Sequence, residues 1–160
     1  MGTILEILIS ESPDQPMCSQ EKVNALAGRG LEGDRYFMKK GTFTPDPHQP
    51  DFELTLIEKE KIDEFVEKSG LDFEAQDTRR NLVTEGIDLN RLVDKEFLIG
   101  EVKAKGMRLC EPCNYLAKQT YRETLKGLVH KGGLRAQIIS SGEIKVGDTI
   151  KVEPFEIANT

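Results

Sequence analysis

Two cysteines three residues apart, Cys110 and Cys113, carry the most reactive side-chain chemistry in this 160-residue chain. A thiol acts as a nucleophile or metal ligand only as its thiolate, and a thiolate needs positive charge or hydrogen-bond donors nearby. The flanking sequence supplies the charge. Residues 102–142 hold eight Lys/Arg against two Asp/Glu, while the rest of the chain holds 14 against 26. A protein of net charge −6 has therefore placed its one basic region around its cysteine pair. Pro112 suits the first position of a helix. A helix starting there puts Cys113 in its first turn, where unpaired N–H groups and the helix dipole favour a thiolate. Cys110 lies before that cap.

Three uses of the pair are open. The first is packing, since a free cysteine is among the most buried residue types. The second is a metal site, because C-x-x-C is half of a zinc centre. Only Cys18 and His130 remain as further ligands, at no zinc spacing. The third is a reactive thiolate, as a persulfide carrier or a ligand to a soft metal such as molybdenum, to which polarisable sulfur is matched. In that reading His130, Lys131 and Arg135 bind an anionic group beside it. A thioredoxin-like dithiol is disfavoured, because the pair comes late and without a βαβ pattern. The glycine-rich run 28–36 lacks the Lys-Ser/Thr of a phosphate loop and opens no long helix. It reads as a turn needing positive φ, with Asp34 and Arg35 able to pair and pin it. Cys18 and His48 fall in proline-containing loops and receive no role.

These residues must be positioned by the surrounding elements. Apolar, β-rich or alternating runs predict strands at 3–9, 52–57, 96–99, 101–106, 136–140, 142–146 and 148–152. Residues 10–19 read as loop, and 21–27 as one or two helical turns. Ile62, Phe65 and Val66 at helical spacing, stopped by Gly70, predict an amphipathic helix over 58–69. A shorter helix is expected near 121–129 and a turn with a short helix at 86–92. Arg79, Arg80 and Asn81 form a polar run that reads as surface before the apolar Leu82 and Val83, one arginine facing a pocket and the other water. Many short strands with regular turns and one strong helix point to a mainly β fold, a β-barrel with short helical insertions, in a single domain over 1–160.

Composition bounds the rest. Apolar content of 38% and charged content of 31% fit a soluble globular protein, and net charge −6 argues against general nucleic-acid binding. No apolar run reaches the roughly 20 residues of a membrane span. The apolar start contains Glu6 and no basic leader, and three cysteines is an odd number, so free thiols in the cytoplasm are expected.

Five stretches resemble the MOSC family, the domain named for the C-terminal part of molybdenum cofactor sulfurase. They are Gly30-Leu-Glu-Gly-Asp-Arg-Tyr36, Thr78-Arg-Arg-Asn-Leu-Val-Thr-Glu-Gly-Ile-Asp-Leu89, Arg108-Leu-Cys-Glu-Pro-Cys113, Leu128-Val-His-Lys-Gly-Gly-Leu-Arg-Ala136 and Gly142-Glu-Ile-Lys-Val-Gly-Asp148. The resemblance implies a β-barrel-rich fold and identifies Cys113, at the end of Glu-Pro-Cys, as the functional cysteine. It implies a persulfide carrier or a binder of the molybdenum cofactor (molybdopterin), with Cys113 as persulfide site or molybdenum ligand. Any enzymatic activity would then be sulfurtransferase-like or dependent on that cofactor. Arg80, Asn81, His130, Lys131 and Arg135 would contact the anionic cofactor or substrate, and Asp34 and Arg35 would shape the pocket. The implied partners are a sulfur donor such as a cysteine desulfurase, or a molybdenum-cofactor enzyme. Related reductases of N-hydroxylated compounds carry an additional N-terminal β-barrel, for which 160 residues leave no room. The sulfurase's pyridoxal-phosphate domain is also missing, so no pyridoxal chemistry is expected. The alternative class is a non-enzymatic anion- or zinc-binding module with a structural C-x-x-C.

Overall fold

Strands that alternate apolar and polar residues hide only one face, and the edges of the sheet remain unpaired unless it closes. Here it closes. The computed structural model describes residues 2–12, 15–35, 37, 52–110 and 131–152. The helices expected from Pro112 and over 121–129, together with Cys113, His130 and His48, lie outside the described residues. In chain order the elements are β1 (Gly2–Ile9), β2 (Cys18–Gln20), β3 (Lys22–Leu26), β4 (Gly30–Leu31), β5 (Leu54–Glu58), α1 (Lys59–Ser69), β6 (Leu82–Glu85), β7 (Glu96–Ile99), β8 (Val102–Leu109), β9 (Leu134–Ile138), β10 (Gly142–Lys145) and β11 (Thr149–Val152). Seven strands run around a barrel in the order β1-β11-β7-β8-β9-β5-β6 and back to β1. The closing pair sets Gly2 opposite Ile150 and Thr3 opposite Thr149. The mainly β barrel expected from the sequence is the observed fold.

Inside, Ile4, Leu54, Leu56, Leu82, Phe97, Leu134 and Ile150 are fully buried in one cluster. Val23, Ala25 and Ile144 join it from a separate sheet, β10-β3-β4, which thereby extends the barrel core. Residues 21–27 are therefore not helical turns: Lys22–Leu26 is β3, paired with β10 over Gly142–Lys145. Lys22 and Asn24 are exposed while Val23 and Ala25 are buried, the period of a strand. An isolated helix this short is marginal in water, whereas the ladder to β10 binds the backbone. The expected loop 10–19 also ends early, because Cys18 and Ser19 belong to β2.

The helix falls where its apolar spacing put it. Gly70, at φ 70°, caps α1 in the left-handed conformation and donates its N–H to Val66 O at 2.8 Å. Ile62 and Phe65 face the outer wall of β5 and β6, packing with Leu8, Ile57, Phe73 and Val83 in a second cluster. β5 and β6 are parallel, so α1 and the 3-10 turn Ala75–Thr78 form the crossover between them. This is a βαβ unit, which the sequence pattern did not reveal. Parallel partners need not be close in sequence, and 12 residues without a clear period separate α1 from β6.

Glu58 ends β5 only 8% exposed and accepts the Leu89 N–H at 3.1 Å. Burial pushes its carboxyl pKa above the ordinary value, against the opposing pull of the Leu89 hydrogen bond and Lys61. A raised folded pKa gives a contribution to stability that is full below the unfolded carboxyl pKa. That contribution is lost as pH rises through the folded value. Glu58→Gln, whose amide oxygen can still accept from Leu89, should therefore be more stable than the native protein near pH 7. The gain should shrink toward pH 4, as read from urea unfolding at the two pH values.

Candidate functional site

Three cations of the basic region, Arg108, Lys131 and Arg135, lie near the end of β8 and the start of β9. β8 runs out at Leu109 into Cys110, and the chain is described again from Lys131 into β9. The two ends of 111–130 are held together. Cys110 N–H donates to Gly133 O at 2.7 Å. Arg80 closes the clasp: its Nε donates to Gly132 O at 2.7 Å, Nη2 to Cys110 O at 3.1 Å and Nη1 to Thr78 O at 3.1 Å. The guanidinium fork fits three divergent carbonyls in a way an ammonium cannot. Gly133 permits the close approach to β5. Its φ is 107°, and a Cβ there would lie 2.0 Å from Leu56 O.

Arg80 and Asn81 are 8% and 0% exposed, so two of the three residues of the polar run are buried, while Arg79 is part-exposed. The reason is that each polar atom meets backbone. Asn81 Nδ2 donates to Leu8 O at 3.1 Å, and its Oδ1 accepts from Thr55 N and Thr55 Oγ1, each at 3.1 Å. Asn81 thus bridges β1 and β5 in the barrel wall. Arg79 takes the left-handed conformation at φ 63°, and its Nη1 donates to Gln15 O at 2.6 Å. The expected Asp34–Arg35 pair exists at 3.2 Å and is buried. Asp34 also accepts Ser10 N–H at 3.0 Å, and Arg35 Nη2 donates to Arg79 O at 3.1 Å. Three loops are gathered at this end by arginines and an aspartate.

Lys131 is half-buried and its Nζ meets Glu64 Oε1 of α1 at 2.5 Å. Hydrogen bonding and charge from Lys131, with Lys68 adding, hold the Glu64 carboxyl below the usual range. Arg135 points out of the barrel and lies over the Phe52 ring at 4.7 Å, with Arg108 at 5.8 Å from the same ring. Arg80, Lys131 and Arg135 therefore gather at the ends of the 111–130 segment, whereas Asn81 turns into the wall. Cys110, the first cysteine of the pair, is 2% exposed. Cys18 is exposed. Sequence reading missed Thr55, Thr78 and Glu64. Glu64 is 67 residues from Lys131 and carries no local signal beyond being one of several charges on a helix. Among the described residues no group of three or more His, Cys, Asp or Glu is placed to hold a metal ion, and no helix is long and apolar enough to cross a membrane.

Two variants separate a clasp from a simple source of charge. Arg80→Lys keeps the charge but cannot serve three carbonyls, so it should destabilise the fold by about 2–3 kcal/mol, close to Arg80→Ala. Asn81→Ala should cost roughly 3 kcal/mol by leaving Leu8 O and Thr55 N–H unpaired. Urea midpoints check both, and a lysine variant as stable as the native chain would refute the clasp.

The chain resembles several solved structures. The YuaD protein from Bacillus subtilis is 16% identical, with TM-score 0.79 over 95% of this chain and 96% of that one. YiiM from Geobacillus stearothermophilus is 13% identical, with TM-score 0.72 over 95% and 75% of the two chains. YiiM from Escherichia coli is 16% identical, with TM-score 0.67 over 99% and 71%. At these identities the likeness establishes the fold. No curated protein matches the sequence. The MOSC domain matches residues 42–151, more than two thirds of the length. With β5 through β10, most of β11 and the clasp of Arg80 inside the match, the chain belongs to the MOSC domain family.

Proposed function

We propose that this protein carries sulfur on Cys113 as a persulfide, in the service of molybdenum-cofactor chemistry. The observation that carries the reading is the clasp. Arg80 and the Cys110–Gly133 bond hold both ends of 111–130 at the barrel rim. Cys113 follows Cys110 by three residues, so its Cα is tethered within roughly 11 Å of that rim. Arg135 and Lys131, the latter paired with Glu64, begin the chain that returns from 111–130, and cationic side chains near a cysteine support a thiolate and a persulfide anion.

The transfer step balances without an added oxidant. The Cys113 thiolate attacks the terminal sulfur of a donor persulfide, such as that of a cysteine desulfurase. The donor S–S bond breaks, and the donor leaves as a thiolate with the bonding pair. The sulfur then passes to a molybdenum-cofactor enzyme, in the cytoplasm. The cationic residues present fit an anionic cofactor in sign. Lys131 and Arg135, with His130, would hold the anionic end of a molybdenum–pterin group, and Cys113 would be the metal ligand. Arg80 and Asn81 would support it through the frame, since their donors meet main-chain carbonyls. Such a group, when bound, supplies a metal centre for atom transfer.

Loading the purified protein with a low-molecular-weight persulfide, followed by cyanolysis, tests the reading. In a Cys18→Ser background, which removes the exposed thiol, about one sulfur per chain is expected, retained with Cys110→Ser and lost with Cys113→Ser. Full loading of Cys113→Ser would sink it, and stoichiometric zinc held by both cysteines would favour the structural C-x-x-C instead. Iodoacetamide should also label Cys113 faster than the buried Cys110, measured in the same two variants.

A further inference from the structure

β1 does not keep strict alternation. Ile4 lies opposite Thr84 and Glu6 opposite Val83, so Leu5 is one residue more than β6 can match. Such a bulge turns the side chains after it to the opposite faces. Ile4 and Ile7 both sit in the barrel core, and Leu8 sits in the second cluster with Ile62 and Phe65 of α1. Glu6 is thereby delivered to the outer face, half-buried and opposite Val83. There it meets a groove of about 370 Å³. One wall is a stripe of α1, in which Lys59, Asp63 and Glu67 recur four residues apart over about 12 Å. Ile62 and Val66, with Phe73 and Ala75, make the floor. The chain beyond α1 forms another wall. Phe73 is 4% exposed, its ring edge-on to Phe65 at 5.0 Å. Glu74 N–H donates to Asp77 Oδ2 at 2.8 Å in a capping box, which fixes this segment beside the helix.

Four carboxylates and one ammonium line this groove. Lys59 is taken by Asp63 at 2.5 Å. Glu74 accepts a backbone N–H as the cap of the 3-10 turn. Among the described residues Glu6 and Glu67 have no ion-pair partner. We propose that this groove docks a basic segment of a partner protein, with an apolar pair of side chains on the floor and Lys or Arg on either side. Charge complementarity decides the occupant. A nucleic acid or an anionic lipid surface has the wrong sign for this rim, whereas a cationic segment is drawn to it. A segment of cations alone would leave the apolar floor in water, so the occupant carries apolar residues as well. In an extended segment, cations three residues apart are separated by roughly 10 Å, close to the length of the α1 stripe. Asp63, Glu67 and Glu74 are exposed, so the attraction is screened by salt and the contact is transient. Glu64, which takes Lys131, does not line the groove, and the proposal does not depend on sulfur being carried at Cys113.

The probe is a labelled peptide, Gly-Lys-Lys-Leu-Phe-Lys-Lys-Gly, titrated into the full chain by fluorescence anisotropy, with amide shifts mapped by NMR. Binding should weaken with salt, and shifts should fall on Glu6, on α1 and on residues 73–75. Glu6→Lys combined with Glu67→Lys should weaken binding by roughly tenfold or more. The unfolding midpoint of that variant is first matched to the native one. If the pair fails to fold, Glu67→Lys alone, on the exposed side of α1, replaces it, with a loss of about threefold expected. Exchanging Leu-Phe of the peptide for Ser-Ser should also cost about fivefold in affinity. Shifts on another face, unchanged affinity in the charge-reversed protein, or equal binding of the Ser-Ser peptide would overturn the proposal. A reversible dimer, seen by sedimentation and abolished by Glu67→Lys, would assign the groove to a second copy of this chain instead.

Discussion

The structure depends on keeping two consecutive polar residues, Arg80 and Asn81, out of water with their hydrogen bonds made, next to a part-exposed Arg79 that is also tied to backbone. A buried polar group without a partner costs several kcal/mol, and a buried guanidinium more. Each of the three is answered by backbone, in three different directions. Arg79 reaches the loop after β1, Arg80 the ends of 111–130, and Asn81 the wall between β1 and β5. The left-handed turn at Arg79 makes this divergence possible, because it ends the 3-10 turn and redirects the chain into β6. The link between β1 and β5 and the framing of the cysteine segment therefore share one tripeptide.

Electrostatics divides the molecule along another line. The basic residues concentrate in 102–142, which contains β8 and β9, while the rest of the chain is acidic. The cations around the cysteine segment are used differently. Arg80 is a buried clasp, Lys131 is tied to Glu64 of α1, and Arg108 and Arg135 flank Phe52. The Lys131–Glu64 contact also joins the crossover helix to the chain returning from the cysteine segment, so α1 is more than a cover for the barrel.

Much of the architecture was legible before any coordinates. Ile62, Phe65 and Gly70 marked α1 because an amphipathic helix writes its period and its stop into adjacent residues. Alternation marked β7, β8 and β9, and the glycine run marked the turn at 28–33, where Gly28, Gly30 and Gly33 all have positive φ. The adjacent Asp34 and Arg35 could be paired on paper because they are neighbours. Lys22–Leu26 was misread because five residues fit a short helix as well as a strand, and only β10, more than a hundred residues later, decides between them.

The sequence by itself determined the class of the fold, the position of its helix and the separation of charge along the chain. All of these are properties of residue type and local period. Tertiary structure alone decided that β5 and β6 run parallel, that β1 meets β11, and that Arg80 and Asn81 are buried. It also chose Glu64 as the partner of Lys131. The physical reason is common to them. Whether a polar side chain faces water or the interior depends on the carbonyls and N–H groups that meet it. Those arrive from strands and loops tens of residues away, placed by the closure of the barrel.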